Sequence, residues 1–182
     1  GDGGRLGFVH ENPAFLPTPN LFLDSVHSIA LGGIQEGDGR LGLGPGQGPN
    51  EGGGLSILCK VKAFPVPVAA VSCDDFFRMV LAEEGQVWNW GGDRVSAWRP
   101  KPIPSLKDVC IIQIAGGGYH CLALTDEGQV LSWGFDGHVQ LGHSSIQCQK
   151  IQAVIDALAD QHVIHVTCGG SSLAAITETL QS

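Results

Sequence analysis

Six cysteines, seven histidines and eighteen carboxylates are the chemistry-bearing residues of this 182-residue chain, and their spacing decides what they can do. Structural zinc and dithiol chemistry need CxxC or closely spaced Cys/His pairs. Cys59, Cys73, Cys110, Cys121, Cys148 and Cys168 form no such pair. His162 and His165 lie three apart at the start of an expected strand, where alternating side chains point to opposite faces. His138 and His143 flank a turn and are expected at the surface. His120 follows Gly117-Gly118-Tyr119, but a catalytic histidine needs a nucleophile and an orienting group, and none recurs at a matching spacing. A packing or hydrogen-bonding role is expected for it. Asp74-Asp75, Glu83-Glu84 and Asp126-Glu127 are adjacent acidic pairs. Paired acid–base carboxylates must converge across a cleft, whereas these read as solvated turns. Gly37 to Gly42, GDGRLG, satisfies GxGxxG, but GLGPGQGPNEGGG follows it, and a dinucleotide site needs a helix there. No catalytic residue, metal site or cofactor is expected.

The same residues fall into a repeat. Gly85 lies over Gly128 and Trp90 over Trp133, both 43 residues apart. A third copy from Ile164 matches Ile112 onward at an offset of 52. Each copy has an apolar run, a turn of small residues, a second run, an acidic turn closed by glycine, and an alternating third run. The first runs are 111–115, 67–72 and 163–167; the second are 120–124, 77–81 and 172–176; the third are 129–133 and 86–90. Runs two and three, joined by Thr-Asp-Glu-Gly or Ala-Glu-Glu-Gly, predict hairpins with glycine at positive φ. A long period of such hairpins predicts all-β, radially arranged blades. One short helical connector is expected within 154–160.

Composition narrows the function. Glycine at 27 of 182 suits many tight turns, and mean hydropathy of +0.12 suits a packed domain. A formal charge of −8 makes nucleic acid a poor partner. Arg94, Trp98, Arg99 and Lys101 gather locally and are a candidate partner-contact loop. Cys73 and Cys168 both align with Gly116, so a whole copy separates them and no bridge is expected. Reduced, buried thiols are expected instead, which favours an intracellular setting. No apolar run reaches the length of a membrane-spanning helix. The chain opens at Gly1 in mid-motif, with no signal or transit peptide to read.

The repeat resembles that of the regulator of chromosome condensation family, in which the copy reads like VxxIAxGGxHSLALTxxGxVxxWGxNxxGQLG. The matched landmarks are Gly117, Gly118, His120, Gly128, Trp133, Gly134, Leu141 and Gly142, with Gly85, Trp90 and Gly91 in the preceding copy. EGDGRLGLGPGQGPNEGG and WNWG look most like plant members. The resemblance implies a seven-bladed β-propeller of four-stranded blades, of which about three to four are represented here. The chain reads as a single repeat domain, 1–182, with copies over 1–33 (incomplete), 34–92, 93–142 and 143–182 (incomplete). A hairpin is missing near position 33 and about nine residues near 92, the latter from the offsets of 43 and 52. Either segments are deleted or the sequence omits them. A propeller opened by deletion exposes strand edges and calls for a partner or self-association.

The resemblance implies three functions. One is a non-enzymatic scaffold for a protein partner. A second is guanine-nucleotide exchange on a small GTPase, the activity of the founding relative. A third, UV-B reception, is disfavoured. Tyr119, Phe76 and Ser171 stand where a UV-B receptor carries tryptophan, and Trp90 and Trp133 belong to the ordinary repeat. Relatives occur in nucleus, cytosol and mitochondria, which the sequence does not separate.

Overall fold

A computed structural model describes residues 64–73, 77–91, 101–118, 120–134 and 149–178, together with 9, 12, 14–21 and 23–30. The point near 33 where a hairpin is expected to be missing and the Gly37–Gly42 motif lie outside the described residues. So do Asp74 and Asp75, which by the offset of 43 stand opposite Gly117 and Gly118, not in a hairpin turn with the other acidic pairs.

Among the described residues, ten strands form three antiparallel sheets. The first holds β1 (Val68–Cys73), β2 (Phe77–Ala82), β3 (Val87–Gly91) and β4 (Lys101–Pro102) in that order. The second holds β5 (Ile111–Gly116), β6 (His120–Thr125), β7 (Val130–Gly134) and β8 (Gln149–Val154). The third pairs β9 (Val163–Cys168) with β10 (Leu173–Thr177). The expected first, second and third runs form strands. Sheets and sequence copies are cut at different points. Copy 93–142 supplies β4 to the first sheet and β5 to β7 to the second.

The hairpin turns form for the reason the sequence implies. Gly85 and Gly128 have φ of +87° and +82°, a region where L side chains are strained. The Gly85 amide donates to the Ala82 carbonyl at 3.0 Å, and the Gly128 amide to that of Thr125 at 3.1 Å. Each first strand carries a bulge at the same place, because the pairing skips Ala69, Ile112 and Ile164. The expected connector within 154–160 is shorter than a helix. Val154 ends β8, and Asp156–Leu158 is a single 3-10 turn. Its counterpart, Pro104–Leu106, follows β4, where prolines at 102 and 104 block further pairing.

The nine-residue difference between copies is confined to one loop. Trp88 pairs with Pro102, and Leu131 with Val154, so the offset is 43 on β3 and 52 on β4. The shortened β3–β4 connection still returns the chain as a fourth strand, and the blade keeps its architecture.

Alternation distributes the core. Met79, Leu81 and Val87 of the first sheet pack with Ile111, Ile114, Cys121, Ala123, Leu131 and Trp133 of the second. The opposite face of the second sheet turns Leu122, Leu124 and Val130 against Val163 and Val166 of the third. Leu122 and Ala123 are both fully buried, each on its own face. The middle strand therefore belongs to two seams at once, so β6 is buried at every position. Full burial of one such leucine is worth about 1.5–3 kcal/mol.

Replacing Gly128 by alanine is expected to cost about 2 kcal/mol or more in urea denaturation, through positive φ and a Cβ placed 2.3 Å from His162 Nδ1. Adding His162→Ala should recover the clash component and leave the backbone strain, a coupling that a double-mutant cycle measures.

Candidate functional site

The polar residues that invite chemistry are sorted by the sheets into seams and faces. At the seams, each turn glycine accepts from the next sheet. The Ile111 amide donates to the Gly85 carbonyl at 3.1 Å, and the Val163 amide to that of Gly128 at 3.0 Å. These pairs are equivalent under the repeat. At the opposite end of the second seam, the Gly118 amide donates to the Gly170 carbonyl at 2.9 Å. A Cβ on Gly117 would sit 2.3 Å from the His120 ring and 2.5 Å from the Gly169 carbonyl oxygen. The Gly-Gly landmark is thus a close approach between sheets, with His120 wholly buried beside it.

Gln113 completes this seam, and sequence reading did not single it out. Its amide nitrogen donates to the Val166 carbonyl at 3.0 Å, and its oxygen accepts from the Val166 amide at 3.0 Å. The side chain substitutes for a strand's peptide group and joins β5 to β9. The same nitrogen lies 3.1 Å from His165 Nδ1. Ala70 and His165 occupy the position in the neighbouring copies, so the repeat gave no signal for it.

The remaining candidates are dispersed. His162 rests on Gly128, with Nε2 4.0 Å from Glu178, on the other side of the bulge from His165. Among the described residues, no group of three His, Cys, Asp or Glu is placed to hold a metal. Glu83, Glu84, Asp126 and Glu127 are exposed at the two hairpin turns. Of the four described cysteines, Cys121 is buried and Cys73 and Cys168 are half-buried. Cys110 corrects the expectation of buried thiols: it precedes β5, lies over Gly85 and is exposed. Trp133 is buried in the first seam, and Gly134 beyond it has φ of +118°. Trp90, beside Gly91 at the end of β3, is buried with Phe64 edge-on at 5.6 Å. Of the expected partner-contact loop, only Lys101 is described, exposed at the start of β4. Arg94, Trp98 and Arg99 lie outside the described residues, as do Leu141 and Gly142.

Successive antiparallel sheets, with equivalent first strands locked edge to turn, define a β-propeller repeat protein. The chain belongs to the regulator of chromosome condensation (RCC1) repeat family: its repeat models match residues 84–124, 127–176 and, for a second model, 111–140. It is 43% identical to the RCC1 domain-containing protein RUG3, mitochondrial, of Arabidopsis thaliana, over 98% of this chain and 58% of that protein. It is 31% identical to human E3 ubiquitin-protein ligase HERC2, over 97% of this chain and 4% of that one. The chain thus spans little more than half the length of RUG3. The RUG3 match runs over 257 residues against 182 here, so the plant protein carries internal residues with no counterpart in this chain. Human WBSCR16 has the same fold, with a TM-score of 0.60 and 22% identity over 71% of this chain and 35% of that one. Yeast Prp20p is similar, with a TM-score of 0.57 and 17% identity over 64% and 32%. Among the described residues, no helix is long and apolar enough to cross a membrane.

Gln113→Leu keeps bulk but strands the Val166 amide and carbonyl, with Val166 itself 1% exposed. The expected loss is about 1–3 kcal/mol of unfolding free energy by chemical denaturation. Ala70→Leu, at the equivalent site of the first sheet, should change stability by less.

Proposed function

We propose that this chain is a non-enzymatic protein-interaction scaffold. The observation that carries the reading is the allocation of its polar residues. Gln113, His120, Thr125 and Ser132 are engaged or buried in the sheets and seams, while Glu83, Glu84, Asp126 and Glu127 are exposed on the hairpin turns. A rigid core with solvated turn faces is suited to presenting surfaces. Affinity purification of the tagged protein from its own cells should recover a stoichiometric protein partner. Recovery of the chain alone would contradict the reading.

Guanine-nucleotide exchange on a small GTPase is the second reading. It is favoured by the fold shared with yeast Prp20p, for which binding to Gsp1p and histones is described. Such activity acts by pressing loops against the GTPase and needs no covalent chemistry. Nucleotide release from a panel of small GTPases should accelerate under this reading; release at the spontaneous rate across the panel contradicts it. The ligase activity that names HERC2 is not carried over from a match to 4% of that protein. The basic loop from Arg94 to Lys101 is a further proposed contact. Among nucleus, cytosol and mitochondrion, the mitochondrial name of RUG3 favours the last.

A further inference from the structure

The first sheet carries a cleft that the repeat does not require. Its volume is about 330 Å3; Val87, Ile103 and Leu106, buried in the core, form its floor, and exposed Pro102 and Pro104 form an apolar rim. Exposed Gln86 and Lys107 complete the lining. The floor is rigid. The Ile103 amide donates to the Val87 carbonyl at 2.9 Å, and the Leu106 amide to that of Ile103 at 3.2 Å. Proline at 102 and 104 removes backbone donors along this edge, so an added β-strand would find an incomplete ladder. The cleft is suited to a side chain, not to strand addition.

Its surroundings specify the charge of the occupant. Gln86 follows the turn bearing Glu83 and Glu84, and Lys107 precedes Asp108. The bond from Ile111 to the Gly85 carbonyl brings the second sheet to this turn. The Asp126 amide donates to the Cys110 carbonyl at 3.1 Å, which draws Asp126 and Glu127 to the same face. All five carboxylate residues are exposed. Lys107 is the one basic residue in the cleft lining. An apolar socket within a field of carboxylates is complementary to an apolar side chain flanked by lysine or arginine.

We propose that this cleft docks a protein segment carrying an aliphatic or aromatic anchor between basic residues. The anchor packs against exposed Pro102 and Pro104, over the floor of Val87 and Leu106, and the flanking cations face Glu83, Glu84 and Asp108. The assignment rests on the interaction-scaffold reading and names the partner chemistry for one face.

The test is fluorescence anisotropy with a short labelled peptide of leucines flanked by lysines, against a counterpart with glutamate for lysine. The lysine peptide should bind and the glutamate peptide should not, with binding weakening as salt shortens the screening length. Glu83→Lys with Glu84→Lys should weaken binding about tenfold. Gln86→Trp, which fills the cleft from an exposed position, should weaken it by a similar factor, about tenfold. Lys107→Glu should tighten binding, a gain that unfolding cannot produce. Equal binding of both peptides, or indifference to all three variants, overturns the site. A partner recovered from cells whose binding ignores these variants also overturns it, while leaving the scaffold reading intact. Failure to recover any partner counts against the scaffold reading, whatever the peptide does.

Discussion

The structure depends on a carbonyl aimed sideways. A hairpin turn would ordinarily leave its glycine carbonyl in water. Here Gly85 and Gly128 each present theirs to the first amide of the next sheet, Ile111 and Val163. Positive φ at the glycine sets that direction, so one residue type makes both the turn and the junction. Within each sheet, the residue after the second strand donates to the carbonyl just before the first. Glu83 bonds Pro67, Asp126 bonds Cys110, and Glu178 bonds His162. The two sets of bonds tie the turns at Gly85 and Gly128 to their own sheets and to the next.

Packing then follows. Once the turn is fixed against the next first strand, alternate residues of β6 are committed to opposite seams. That is why Leu122 and Ala123, adjacent in sequence, serve different cores. The connection between β3 and β4 is nine residues shorter than its counterpart, yet Trp88 still pairs with Pro102 on the fourth strand. By contrast Gly117 has no latitude, because His120 and the next sheet close on it.

Much of this was legible in sequence. The hairpins followed from alternation and the acidic glycine turns, and the blade type from a repeat shared by Gly85/Gly128 and Trp90/Trp133. The fourth strands were not legible. β4 is two residues, one a proline, and its pairing is set by β3 and not by its own pattern. The connector within 154–160 has an apolar pattern that suggests more helix than forms, because Val154 is held by β7. Gln113 was illegible for another reason: a side-chain amide that imitates a peptide group leaves no periodic trace. Cys110 was misread because it stands just before the strand that begins the buried run. The cleft beneath β4 has no sequence signature, since residues from β3, β4 and the following 3-10 turn meet only in the fold.

If the sheets are locked through these glycine carbonyls, they should open together, and the exposed turns should be the adaptable part. Native-state hydrogen exchange tests this directly. The Ile111 and Val163 amides should exchange with the same opening free energy as those of Leu122 and Leu124 in the shared strand. Junction amides that exchange at the rate of fraying ends, while β6 stays protected, would show that each sheet stands alone and would contradict the account.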